Sequence, residues 1–119
     1  MKIAILVEDY YQVLEVWYPY LFFKGKGFET LFVGTGKKKS YDSKEGYPAE
    51  EELTMLELTP KNFDAVIIPG GYAPDLLRRY TEINYFVGEM LKTGKTVGAI
   101  CHGGWVLSSA NILEGKKVT

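Results

Sequence analysis

Residues 3–7, Ile-Ala-Ile-Leu-Val, form an unbroken apolar run rich in β-branched side chains. That pattern belongs to a strand buried on both faces of a parallel sheet. Residues 28–33, 65–68 and 96–100 repeat it and predict three further core strands. Between the first two, Val13, Leu14, Val16, Trp17, Tyr20, Leu21 and Phe23 recur at helical spacing. They predict a helix over about residues 11–24, stopped by Gly25 and Gly27 and kinked at Pro19. Thr81 is expected to cap a second helix through Lys92, with Ile83, Phe86, Val87, Met90 and Leu91 facing the core. A third helix is expected over 103–110, with Trp105, Val106 and Leu107 inward. Residues 34–46 are polar and punctuated by glycine, which predicts an exposed hairpin off the main sheet. Residues 53–58 predict a short strand or turn, residues 72–79 a loop and helical turn, and residues 116–119 the start of a strand.

Strands alternating with helices predict one α/β domain over residues 1–119, with a doubly wound, mostly parallel sheet. In such sheets, reactive groups gather beyond the carboxyl ends of the strands. Glu8 and Asp9, then Pro69-Gly70-Gly71, then Cys101-His102 all fall at that edge.

Charge narrows the function without specifying it. Fourteen Lys and Arg against fifteen Asp and Glu leave a net charge of −1. That balance argues against a nucleic-acid partner, and Lys37-Lys38-Lys39 reads as a solvated turn. No apolar run approaches the roughly 18 residues a membrane span needs, so no membrane partner and a cytoplasmic location are expected. A single cysteine excludes an internal disulfide framework and suits a reducing compartment. One cysteine and one histidine fall short of a four-ligand zinc site, so neither metal nor other cofactor is expected.

The lone cysteine and lone histidine are nevertheless neighbours, Cys101 and His102. They stand between a strand and a helix, followed by Gly103 and Gly104. That is the setting of a nucleophile elbow, in which a tight turn pushes the side chain outward. The start of the following helix favours a thiolate, the form that attacks carbonyl carbon. Gly70 and Gly71 offer backbone N–H groups at the same edge as a candidate oxyanion hole. An ordinary βα turn would use the same residues. Glu15, inside an apolar helical stripe, has two readings: a carboxylate reaching solvent, or one pointing across the edge toward Cys101.

Three segments together resemble the signature blocks of the ThiJ/PfpI superfamily: Ala99-Ile-Cys-His-Gly-Gly-Trp105, Ile68-Pro-Gly-Gly-Tyr-Ala-Pro-Asp75 and Leu14-Glu-Val-Trp-Tyr-Pro19. The likeness is greatest to PfpI-type intracellular cysteine peptidases and their deglycase relatives. The resemblance implies a flavodoxin-like sandwich with Cys101 as nucleophile and Glu15 as the carboxylic acid beside it. It implies an oxyanion hole at Gly70 and Gly71 with the N–H of His102. His102 would act with an acid from a neighbouring subunit, and Asp75 holds that acid's place. Two residues depart from the pattern. Gly104 stands where proline is usual, which should loosen the elbow, and Asp75 is one methylene shorter than the usual glutamate. Family domains also continue with strands and a final helix that residues 1–119 lack. The open sheet is therefore expected to associate, either as a homo-oligomer with the site near the interface or with a separate C-terminal segment.

The expected function is a cysteine-dependent hydrolase or lyase acting on a small carbonyl or peptide substrate. Deglycation or glyoxalase chemistry is favoured over peptide hydrolysis, because a small pocket suits a small aldehyde. The alternative is a redox-sensing or stress-protective protein that oxidises Cys101 without turnover. A glutaminase-type amidotransferase would need a second histidine, and His102 is the only one.

Overall fold

The computed structural model describes residues 1–117. Five parallel strands lie in the order β5-β2-β1-β6-β7: β1 (Lys2–Leu6), β2 (Glu29–Gly34), β5 (Leu53–Thr54), β6 (Ala65–Ile68) and β7 (Thr96–Ala99). β1 lies at the centre, pairing Ile3 with Thr30 on one side and with Ala65 on the other. The chain leaves β1 toward β2 first and returns later to β6, so the winding reverses beside β1. This is the doubly wound architecture expected, and the reversal opens a crevice at the carboxyl edge.

The period-two alternation of β1 divides the core. Ile3, Ile5 and Val7 face α1 (Val13–Gly25), meeting Val16, Trp17, Tyr20 and Phe23. Ala4 and Leu6 face the other layer. There α3 (Thr81–Lys92) buries Ile83, Phe86, Val87 and Met90, joined by Leu77 of α2 (Ala73–Leu77) and Val106 of α4 (Gly104–Ser109). Three 3₁₀ turns lie at Met55–Glu57, Pro60–Asn62 and Cys101–Gly103.

Several details differ from the sequence reading. α1 begins at Val13, because the Gln12 side chain accepts the N–H groups of Leu14 and Glu15 and so caps it. Tyr11 lies outside the helix, fully buried and bridged to Ser43 and Gly71. The helix runs on through Pro19 to Gly25. Thr81 is the first residue of α3, and Tyr80 holds the cap position without a side-chain bond. β7 forms the sheet edge, partly exposed along its length, so it is less buried than its apolar sequence suggested.

The hairpin of β3 (Ser40–Asp42) and β4 (Pro48–Glu50) is a separate two-stranded sheet, as expected, but not a solvated excursion. Tyr41 and Ala49 are fully buried and pack into the core under α1. Of the strand expected over 116–119, Lys116 and Lys117 lie in no regular element and the remainder falls outside the described residues.

Candidate active site

β7 passes into an extended Ile100, held to β6 by its N–H on the Ile68 carbonyl at 3.1 Å. Cys101 then turns to φ +54°, the left-handed region that costs a residue bearing a Cβ about 1–2 kcal/mol. The Gly103 N–H closes the turn on the Ile100 carbonyl at 2.8 Å, and α4 begins one residue later. A Cβ on Gly103 would stand 2.6 Å from the Ile68 carbonyl oxygen. The elbow therefore presses backbone against backbone at the end of β6, and only glycine fits there. The turn leaves Cys101 exposed as a free thiol.

Glu15, in the first turn of α1, reaches across to the end of β6. Its Oε1 accepts the Gly70 N–H at 2.8 Å. A Cβ on Gly70 would lie 2.5 Å from that oxygen and 2.7 Å from Cys101 Cβ. Glu15 and Cys101 thus both close on the bare backbone of Gly70, although no hydrogen bond joins them in this arrangement. The Gly70 N–H is thereby committed to Glu15. The N–H groups of Gly71 and His102 take no part in the hydrogen bonds of the described residues, which leaves them available to a ligand oxygen. Gly71 adopts φ +74° where its loop presses on the chain after β1; a Cβ would stand 2.5 Å from the Tyr10 carbonyl oxygen.

His102 is exposed, with Nδ1 3.3 Å from the Gly71 carbonyl oxygen. Its ring stacks on Trp105 at 4.4 Å between centroids. Trp105, expected in the core, instead forms a wall of the site. Asp75 is engaged elsewhere: it pairs with Arg79 at 2.6 Å, one helical turn on. Hydrogen bonding from the Tyr72 hydroxyl, and then from Arg79, holds its carboxyl below the usual carboxylate range. Within one chain, Asp75 and His102 are not brought together.

A pocket of about 280 Å³ opens over Cys101 and His102, lined also by Gln12, Lys44, Gly71, Tyr72 and Trp105. Lys44 was not singled out by sequence reasoning. It arrives from the hairpin turn, anchored by its N–H on the Tyr11 carbonyl at 2.8 Å, and local sequence carried no signal for that approach. Glu8 and Asp9 reach the same edge without joining the pocket. Glu8 is 2% exposed and accepts from Thr35 Oγ1 at 2.6 Å and the Asp9 N–H at 2.8 Å, while Asp9 pairs with Lys38.

Against known proteins, the model of the DJ-1/PfpI family matches residues 1–119. The chain belongs to the DJ-1/PfpI family. A deglycase of Thermococcus kodakarensis is 36% identical over 119 residues, covering 100% of this chain and 71% of the relative. A protein of Escherichia coli named protein/nucleic acid deglycase 2 is 34% identical, covering 99% of this chain and 69% of the relative. Among solved structures, a two-domain protein of Anabaena variabilis with DJ-1/ThiJ/PfpI-like and ferritin-like domains superposes with a TM-score of 0.95 at 38% identity. That match covers 98% of this chain but 35% of the other.

Family membership places the Gly104 departure in context. Gly104 has φ −57° and open space around it, so the backbone already has the shape that proline would impose. The elbow is formed without it. Beside the DJ-1/PfpI site, a largely apolar groove of about 540 Å³ runs between α1 and the β7 edge, lined by Leu14, Tyr18, Pro19, Ile67 and Ile100 with Glu15 as its one charged residue.

Proposed function

We propose that this chain is a PfpI-type cysteine-dependent enzyme in which Cys101 attacks a carbonyl carbon. The observation that carries the reading is the left-handed elbow at Cys101, set against Gly70 and Glu15 at the mouth of a small pocket. Strain of this kind is retained where the surrounding structure holds a reactive side chain in place.

In this reading the Cys101 thiolate adds to the substrate carbonyl, forming a C–S bond while the π pair moves onto oxygen. The N–H groups of Gly71 and His102 receive that oxyanion. Gly70 contributes by fixing Glu15 beside the elbow. For an acyl substrate, collapse of the adduct breaks the C–N bond and leaves a thioester, with His102 delivering a proton to the departing nitrogen. For a methylglyoxal hemiaminal, whose amine is on the carbon beside the ketone, the carbinol loses its proton and expels the amine, which His102 protonates, and Cys101 adds to the aldehyde so freed. A proton transfer between the two adjacent carbons then converts that hemithioacetal into a lactoyl thioester. Water then cleaves the C–S bond and restores the thiol. The acid for His102 would be Asp75 of a second copy, because in its own chain Asp75 faces Arg79. Two copies meeting over the α1–β7 groove would also cover its exposed Leu14, Tyr18 and Ile100.

The substrate favoured is a methylglyoxal-type adduct of an amine. Its size suits a pocket of about 280 Å³, and the relatives are named deglycases. The near-neutral charge argues against a basic nucleic-acid-binding face, but a glycated base could still enter as a small substrate. No observation in the structure favours the redox reading over turnover.

The deciding experiment compares wild type and Cys101→Ala on methylglyoxal-modified N-acetylarginine and on a peptide substrate. Release of unmodified N-acetylarginine that falls at least about a thousandfold in the variant supports the proposal. Full activity in the variant on both substrates removes it. Sedimentation of wild type, with Asp75→Asn scored for kcat, tests the contribution of a second copy.

A further inference from the structure

A second concavity lies on the other side of α1. Trp17 follows Glu15 by two positions, roughly 200° around the helix, and so faces the β3–β4 hairpin instead of Cys101. There Trp17, Tyr20, Phe32 and Tyr47, with Pro48 and two carboxylates, Glu50 and Glu52, line a cavity of about 400 Å³. None of these residues lines the Cys101 pocket.

The rings meet as walls. Tyr47 and Tyr20 stand at 79° and 75° to Trp17, with centroids 5.4 and 5.5 Å away. Their positions are held before any ligand arrives. Trp17 Nε1 donates to the Tyr11 hydroxyl at 3.1 Å, and that hydroxyl donates to the Tyr47 carbonyl at 2.6 Å. Tyr20 stacks on Phe32 at 3.8 Å, and Glu52 Oε1 accepts both the Tyr20 hydroxyl and the Phe32 N–H.

The charged side chains that line the cavity are anionic. Neither Glu50 nor Glu52 takes part in an ion pair among the described residues. Aromatic faces and carboxylates together attract an organic cation, through the ring quadrupole and through charge. A bare metal ion is poorly served, because two carboxylates fall short of the oxygen ligands a hard cation takes. A neutral apolar ligand would strip water from the carboxylates without compensating them. The cluster already engages one ammonium: Lys24 Nζ lies 4.9 Å from the Tyr20 ring centroid.

We propose that this cavity binds an alkylammonium group, from a free quaternary amine or from an alkylated lysine in a polypeptide. The site is independent of turnover at Cys101.

The test titrates choline, and separately its neutral isostere 3,3-dimethylbutanol, into ¹⁵N-labelled protein. The chain has two tryptophans, Trp17 and Trp105, whose indole N–H signals report on the two sites separately. The expected result is a saturable shift of the Trp17 signal with choline, Trp105 unmoved, and binding of the isostere at least about tenfold weaker. The double variant Glu50→Gln, Glu52→Gln should weaken choline at least about tenfold while circular dichroism still shows a folded protein, because a glutamine carbonyl can still accept from Tyr20 and Phe32. A trimethyllysine peptide binding more tightly than choline assigns the polypeptide source, and the reverse assigns the free amine; both support the site. A Trp17 shift that never saturates, or equal binding of the isostere, overturns the proposal.

Discussion

Glu15 Oε1 and the Gly70 N–H meet at 2.8 Å across 55 positions of sequence, and Cys101 Cβ closes on the same glycine. A side chain at Gly70 would therefore collide with the acid and the nucleophile together. Gly70→Ala is expected to lower kcat/KM at least about a hundredfold, because even a displacement of about 1 Å misplaces the reacting groups. Circular dichroism should still show a folded protein. Activity near wild type would show that the Gly70 contact does not position the site.

The left-handed Cys101 gives a stability prediction separate from catalysis. Cys101→Ala keeps the Cβ at φ +54°, whereas Cys101→Gly removes it. Chemical denaturation should find the glycine variant about 1 kcal/mol more stable than the alanine variant, the reverse of the order in ordinary backbone. Both should be inactive.

Adjacent glycines should respond differently. Gly103→Ala places a methyl 2.6 Å from the Ile68 carbonyl oxygen and is expected to destabilise by about 1–3 kcal/mol. At Gly104 a Cβ would meet nothing within 4 Å and φ −57° suits proline, but proline removes the Gly104 N–H bond to the His102 carbonyl, so Gly104→Pro is expected to leave stability within about 1 kcal/mol of wild type. Paired thermal melts check both.

Alkaline pH should act through Tyr11. Burial pushes its hydroxyl above the ordinary 10.0, outweighing the lowering effect of the Trp17 hydrogen bond. Burial raises Tyr41 likewise. A phenol whose folded value is raised contributes stability that is complete below pH 10.0 and lost as pH rises through the folded value. Melting temperature should therefore begin to fall above about pH 10. Tyr11→Phe should flatten that fall. It should also cost about 1–3 kcal/mol at neutral pH, because Trp17 Nε1 and the Tyr47 carbonyl lose their partner.

Apolar runs and glycine punctuation in the sequence by themselves determined the parallel strands, their alternation with helices, and the edge where Cys101 and Gly70 fall. Those signals are local: a strand buried on both faces must be apolar throughout, and a tight turn must bear glycine. The structure decided what depends on distance in space. Glu15, open between solvent and site by sequence, turned inward because the chain after β6 carries the Gly70 N–H to it. Trp105 left the core to stack on His102, and Lys44 came to the pocket on a hairpin held down by the buried Tyr41. Asp75 turned to Arg79 four positions on, leaving His102 without a carboxylate partner among the described residues. Each of these is a choice among partners far apart in sequence, and periodicity carries no information about which partner packing will bring near.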